Sequence, residues 1–194
     1  MFSKATFVSV LVLALGLQAH AHNAFVPMLG VSGTPARSDV QRPSAAKPCG
    51  NAALSAVSTS TAATIAADGT MTITSTDFNA GADGSRAIKS ISLDTTATGK
   101  SFKALPASAI VKNGDANPTT VGSQTLTVQV PAGTKCTGGS GKNLCLMSIT
   151  STAGFGNCVV GKQAAAKRDY HPHGSREVRA AARSAAVMEI EELE

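Results

Sequence analysis

The sequence predicts an all-β fold: an antiparallel β-sandwich of immunoglobulin-like type, with an extended N-terminal arm and a partly helical or disordered C-terminal tail. Three observations point to it. Short segments rich in β-branched residues recur along the middle of the chain, turn residues separate them, and four cysteines offer two disulfides to a small core. Apolar residues make up 43% of the 194 residues, which is enough for one domain.

The individual strands are predicted from alternation and from the turns between them. Thr70 to Thr74 alternates with period two, and Asp68-Gly69 just before it is a hairpin signal. In the segment 125–130 every second side chain is branched and apolar, so that face should be buried. The further strand candidates are Ala87 to Asp94, Ser108 to Lys112, Thr125 to Val130, Leu144 to Thr150 and Phe155 to Val160.

The amino end has the layout of a secretory signal peptide. Lys4 gives a positive start, Phe7 to Leu17 is almost wholly apolar, and Ala19-His20-Ala21 places small residues where a signal peptidase cleaves. The apolar run is shorter than the ~20 residues that a transmembrane helix needs. We therefore predict a signal peptide over 1–21, a secreted extracellular domain over 22–163, a tail over 164–194 and no transmembrane segment.

The four cysteines all lie in the exported part of the chain. An even number in an oxidising compartment favours disulfides, and three pairings are possible. Zinc is the alternative, but no Cys-x-x-Cys pair or nearby His supports it. The preferred pairing joins Cys136 to Cys145, because the Gly-rich segment between them is a ready turn. That leaves Cys49 to join Cys158, which ties the start of the domain to its end.

Several short segments of the β-rich region carry a resemblance to a known family. They are 33–39 (GTPARSD) leading to 47–50 (KPCG), then 83–86 (DGSR), 130–139 (VPAGTKCTGG) and 154–158 (GFGNC). Together they resemble a family of small secreted fungal proteins that are associated with appressoria and host penetration and described as virulence-factor-like. The resemblance covers about residues 22–163. It implies an extracellular role at the fungal surface or during colonisation, and it implies no enzyme class.

One residue predicts a metal site. Cleavage after Ala21 would make His22 the first residue, and a terminal His offers its amino nitrogen and a ring nitrogen to copper(II). This arrangement is similar to that of secreted copper oxygenases acting on polysaccharides, which add a second, internal His. The other histidines of the mature chain, His171 and His173, lie in the tail. His22 thus has two interpretations: it binds copper(II), or it is simply the residue that happens to follow the signal peptide.

Other chemistry has little support in the sequence. It contains no Gly-x-Ser-x-Gly elbow and no phosphate-binding Gly-rich loop, and every Glu lies at or after Glu177, in the tail. The net charge of +5 is scattered, and with no Trp and one Tyr the chain lacks the stacking aromatics that nucleic-acid and flat carbohydrate sites use. We expect a non-enzymatic binding protein, with cell-wall polysaccharide or a host surface as candidate partner.

The tail contains one candidate processing signal. Lys167-Arg168 is a dibasic pair, and cleavage there would release the last residues as a peptide. An ordinary exposed pair of charges is the alternative. The sequence leaves this choice open.

Overall fold

The structure, a computed structural model, describes residues 22–164. The predicted signal peptide and the tail from residue 165, with Lys167-Arg168, lie outside this range. Within it the chain forms the strands β1 (Asn23–Val26), β2 (Ala62–Ile65), β3 (Thr70–Asp77), β4 (Ile88–Asp94), β5 (Lys103–Ala104), β6 (Ile110–Lys112), β7 (Ser123–Gln129), β8 (Leu144–Ser151) and β9 (Gly156–Gln163). Short 3-10 helices cover Arg37–Asp39, Leu54–Ser58, Ala82–Gly84 and Ala107–Ala109.

The strands form one curled sheet, a half-barrel, in the order β5-β4-β8-β9-β2-β3-β7-β6, with β1 paired to β3. The sheet is mixed, because β2 runs parallel to β9. The all-β class is confirmed, but the predicted antiparallel sandwich is not. Alternation along a strand shows which face is buried, whereas it does not show whether the buried faces belong to two sheets or to one sheet that curls.

All six strands named from the sequence are present, with ends shifted by at most three residues. The alternate apolar side chains of the segment 125–130 are buried as expected. Three shorter strands were not predicted: β1, β2 and β5. Among the described residues no helix is long and apolar enough to cross a membrane.

The extended N-terminal arm that the sequence predicts over residues 23–48 begins with a strand, β1, that belongs to the sheet. It enters the sheet beside β3, and a side chain of β9 fixes it from the other side. The Asn157 amide accepts a hydrogen bond from the Phe25 N–H at 2.7 Å and donates one to the Phe25 carbonyl at 2.8 Å. The side chain thus replaces the backbone of a neighbouring strand. A segment of four residues with no clear period does not reveal a partner 132 residues away.

Two apolar clusters lie on opposite faces of the sheet. The main core fills the inner face and includes Phe25, Met147 and Ile149. The second cluster lies on the outer face of β8 and β9, where the arm covers them, and consists of Leu29, Cys49, Val57, Ala97, Leu146, Cys158 and Val160. The arm is therefore a second layer over part of the sheet.

Candidate binding site on the outer face of the sheet

An open groove of about 380 Å³ lies on the outer face beside β4, β8 and the arm, and we refer to it as the hydroxyl groove. Four hydroxyl side chains of β4 and β8 contribute to its lining, and they stand in register, Ser90 opposite Thr150 and Ser92 opposite Ser148. Successive side chains of a strand alternate between faces, so the isoleucines between them point into the main core. The alternation that buries one face thus creates a row of hydroxyls on the other.

The arm forms one wall of the hydroxyl groove. The Ser148 hydroxyl donates a hydrogen bond to the backbone oxygen of Pro48 at 2.6 Å. The next residue, Cys49, is joined to Cys158 of β9 by a disulfide. One hydrogen bond and one covalent bond, a residue apart, thus hold the wall to the sheet. The arm residues of this wall are Pro43, Ser44, Ala45 and Pro48.

The aromatic surface of the groove comes from Phe102, which a tightly bonded loop positions. The loop 95–101 wraps around the buried Asp94, whose carboxylate accepts the Thr96 hydroxyl at 2.6 Å and the backbone N–H groups of Thr96 at 2.9 Å and Gly99 at 2.8 Å. Burial tends to raise the pKa of the Asp94 carboxyl, but hydrogen bonds from Thr96, Ser101 and Gly99 outweigh it and hold the pKa below its ordinary value. Asp94 is therefore a charged structural group.

The second buried carboxylate of the described residues, Asp77, also holds structure together. Arg86 donates to both of its oxygens from Nη2, at 3.0 and 3.2 Å, and the Gly122 N–H donates to Oδ1 at 2.6 Å. These bonds join the end of β3 to the segment just before β4, which contains Arg86, and to the segment just before β7, which contains Gly122. Both buried aspartates are thus already engaged by neighbouring donors, which is the arrangement of structural carboxylates rather than of a general acid or base.

The lining determines what the hydroxyl groove can do. The nine residues that line it supply hydroxyls, two proline rings and one aromatic ring, and none of the nine carries a charge. Such a lining can exchange hydrogen bonds with a ligand rich in hydroxyl groups and can pack against its C–H surfaces. It offers recognition of a neutral ligand rather than acid–base chemistry.

All four predicted site cysteines are described, and the structure joins the two pairs that the sequence favoured. Cys136 bonds to Cys145 with a Cα–Cα distance of 5.0 Å, and Cys49 bonds to Cys158 at 4.8 Å. The first pair closes the loop before β8, whereas the second pins the arm to β9. Cys49 and Cys158 belong to the outer cluster, whereas Cys136 and Cys145 belong to the main core.

The predicted metal ligand, His22, immediately precedes β1 and is buried, with 6% of its surface exposed. Its ring packs edge-on against Phe155, with 4.9 Å between centroids, and the Arg42 guanidinium lies 3.8 Å from the centre of the same phenyl ring. Among residues 22–164 no three His, Cys, Asp or Glu side chains are grouped as metal ligands. His171 and His173 lie outside the described residues.

The hydroxyl row of the groove was not singled out from the sequence. The sequence does contain a pattern for this row, because the segments 90–92 (SIS) and 148–150 (SIT) each alternate a hydroxyl residue with isoleucine. What the segments do not reveal is that they pair with each other. Nor do they reveal that the arm returns to form a wall beside them.

Comparison with known proteins places the chain in a family. A family model described as Egh16-like virulence factor matches residues 19–157, well over half of the chain, from before β1 to the start of β9. A search of the curated proteins finds no match. The family match and the two disulfides suggest an extracellular protein with a virulence-associated role. The resemblance seen in the sequence motifs is thereby confirmed, and the chain belongs to the Egh16-like virulence factor family.

Proposed function

We propose that the protein is secreted and acts without catalysis, by binding neutral polysaccharide of the fungal surface or the host interface in the hydroxyl groove. The observation that carries this proposal is the lining itself. Two pairs of hydroxyls in register lie beside proline and phenyl rings, and no charged residue takes part. The protein as a whole has a net charge of +5, so this lining is a locally neutral area on a basic protein.

A neutral sugar matches this lining in two ways. Its hydroxyls both donate and accept hydrogen bonds, as the hydroxyls of Ser and Thr do. Its C–H faces pack on rings such as those of Phe102 and Pro43. The groove volume of about 380 Å³ lies within the range of about 300–1,000 Å³ that is typical of small-ligand sites. Because the groove is open, a polymer can extend beyond the part that is held.

The test is binding of neutral oligosaccharides to the secreted, full-length mature chain. Hexamers of β-1,3-glucan, β-1,4-glucan and chitin are titrated by calorimetry, and NMR locates the response. Combining Ser90→Ala with Thr150→Val removes two hydroxyls and is expected to weaken binding about tenfold. The matched control combines Thr72→Val with Thr125→Val, which alters exposed threonines of β3 and β7.

Two results would contradict the proposal. One is that none of the three hexamers binds. The other is that one binds equally well to the native chain and to the Ser90→Ala, Thr150→Val variant. An NMR response confined to residues outside the groove would also place the site elsewhere. A loss seen only in the groove variant, and not in the Thr72→Val, Thr125→Val control, is the result we expect.

A second candidate function is copper(II) binding at the mature amino terminus. The observation that favours it is the fixed position of His22, whose ring is held against Phe155 immediately before β1. If the mature chain begins at His22, its amino group and ring are carried by an ordered strand rather than by a free end. Two nitrogen ligands of this kind suit copper(II). The site would be distantly like that of the polysaccharide monooxygenases.

Copper titration of a mature protein with an authenticated amino terminus tests this candidate. We expect one copper(II) to bind per chain, and calorimetry and electron paramagnetic resonance measure this binding. His22→Ala should abolish it. Acetylation of the terminal amino group should abolish it too, because this keeps the ring but removes the amino nitrogen as a ligand. Millimolar affinity, or no stoichiometric site, would exclude a specific copper site at the mature amino terminus.

A further inference from the structure

A second depression, of about 460 Å³, lies on the outer surface beside the 3-10 helix Leu54–Ser58, β2 and the loop that precedes β8. We refer to it as the lysine cleft. Its lining includes Ser58, Ser140, Asn143, Leu144 and Lys162. It shares no lining residue with the hydroxyl groove.

The lysine cleft carries a positive charge that the hydroxyl groove lacks. Lys162 is the charged residue of its lining, and its side chain is exposed. It lies on β9 opposite Leu144 of β8 and Thr64 of β2, so strands on both sides fix its backbone. Among residues 22–164 the ion pair of the structure is Arg86 with Asp77, and Lys162 takes no part in it. The cleft therefore presents an ammonium group without a carboxylate partner from the described chain.

Uncharged donors accompany this ammonium group. The hydroxyls of Ser58 and Ser140 line the cleft, and a third lining hydroxyl, that of Ser60, donates to the backbone oxygen of Ala56 at 2.8 Å. The Asn143 amide donates only a long hydrogen bond, 3.4 Å, to the backbone oxygen of Gln163. The apolar side chains of Val57, Ala62 and Leu144 also line the cleft. One cation, several neutral donors and an apolar surface thus converge on one cavity.

The wall of the lysine cleft is also held covalently. The loop 137–143 contributes Ser140, Gly141 and Asn143, and the Cys136–Cys145 disulfide closes it. Gly138 and Leu144 exchange two backbone hydrogen bonds, of 2.9 and 3.0 Å, across the base of this loop. The lining is therefore positioned before a ligand arrives, which lowers the entropic cost of binding.

We propose that the lysine cleft binds a carboxylate-bearing sugar, that is, a uronic acid residue of an acidic polysaccharide. The Lys162 ammonium pairs with the carboxylate in a charge-assisted hydrogen bond. The hydroxyls of Ser58 and Ser140 bond to the sugar hydroxyls, and the apolar part of the lining contacts the C–H face of the ring. The protein then has two saccharide sites of different charge preference. The proposal for the lysine cleft does not rest on the function proposed for the hydroxyl groove.

The test compares an acidic ligand with its neutral counterpart on the secreted full-length chain. Trigalacturonate and its fully methyl-esterified form are titrated at low salt by calorimetry and NMR. We expect the acid to bind and to shift the amide signals of Ser140 and Lys162, and the ester to bind at least about tenfold more weakly. Lys162→Gln should weaken binding of the acid by about tenfold. The control is Lys112→Gln, an exposed lysine of the edge strand β6, which should change little.

Three outcomes would overturn the proposal. The first is equal binding of the acid and its ester, and the second is equal loss in Lys162→Gln and Lys112→Gln. The third concerns the glutamates at positions 189, 191, 192 and 194 of the tail, which are a second source of carboxylates. If replacing these four by Gln shifts the cleft signals while trigalacturonate does not, the cleft holds the chain's own acidic end.

Discussion

The hydroxyl groove and the lysine cleft are built from similar parts but differ in the charge of their linings. Each has residues of the central strands in its lining, each has a wall of loop or arm, and hydroxyl side chains line both. The groove lining is neutral, whereas the cleft lining contains Lys162. If both proposals hold, we expect the charge of Lys162 to give the cleft a preference for acidic saccharides that the groove lacks.

The two depressions also differ in how their walls are fixed. The disulfide between Cys49 and Cys158 holds the arm wall of the groove and spans 109 residues. The disulfide between Cys136 and Cys145 holds the loop wall of the cleft and spans nine. We therefore expect each wall to depend on one disulfide, so that the two bonds serve as controls for each other.

The largest effect is expected from removing the long-range disulfide. Combining Cys49→Ser with Cys158→Ser frees a loop of about 110 residues in the unfolded state, which should lower the free energy of unfolding by about 4–5 kcal/mol. Because the arm wall is released, binding of neutral hexamers should be lost while trigalacturonate still binds. Calorimetric melting and the two titrations measure this. Retained groove binding would show that the arm stays in place without the bond.

A smaller loss is expected from the local disulfide. Combining Cys136→Ser with Cys145→Ser frees only a short loop, so the free energy of unfolding should fall by about 2–3 kcal/mol. Here trigalacturonate binding should be lost and hexamer binding retained, the reverse of the first variant. If each of the two double-cysteine variants loses binding of both trigalacturonate and the neutral hexamers, the two walls are not independent of each other.

Asp94 lies where it should affect both sites. Its loop precedes Phe102 of the groove, and the Thr95 oxygen accepts the Thr137 N–H, next to the cleft wall, at 2.8 Å. Asp94→Asn should lower the free energy of unfolding at pH 7 by about 1–3 kcal/mol and weaken both titrations. Because the folded pKa lies below the unfolded one, the carboxylate stabilises the protein above its unfolded pKa and ceases to do so as the pH falls through its folded pKa.

Urea unfolding at several pH values measures this dependence. The stability difference between the native chain and Asp94→Asn should be full at pH 7 and should shrink as the pH falls below about 4. Asp77→Asn is a useful comparison, because it alters a buried carboxylate that bonds Arg86 instead of the loop 95–101. A difference that stays constant from pH 7 to pH 3 would contradict the role given to the Asp94 charge.

The smallest effect is expected from single hydroxyls. Ser148→Ala removes the hydrogen bond to the Pro48 oxygen and should cost about 0.5–1.5 kcal/mol of unfolding free energy, with weaker binding in the groove alone. Ser58→Ala, in the lysine cleft, is the matched change and should leave the melting temperature almost unchanged. The measurement is thermal melting of both variants beside the native chain. Equal destabilisation by the two would show that the hydrogen bond does not anchor the arm.

Local patterns determined a large part of what the structure shows. The alternation in segments such as 125–130 and the turn at Asp68-Gly69 placed six strands and their buried faces, because each depends only on residues that are neighbours in sequence. The Gly-rich turn between Cys136 and Cys145 favoured that pair for the same reason. The sequence motifs indicated the family as well.

Contacts between distant segments were decided only by the tertiary structure. Asn157 captures β1, β2 pairs in parallel with β9, and the arm returns over β8, and none of these leaves a periodic signal in a short segment. For this reason a sandwich was predicted where a single curled sheet is found. The same reason applies to the sites. The sequence supplied the hydroxyls and Lys162, while the fold decided which of them face one groove and which surround the cleft.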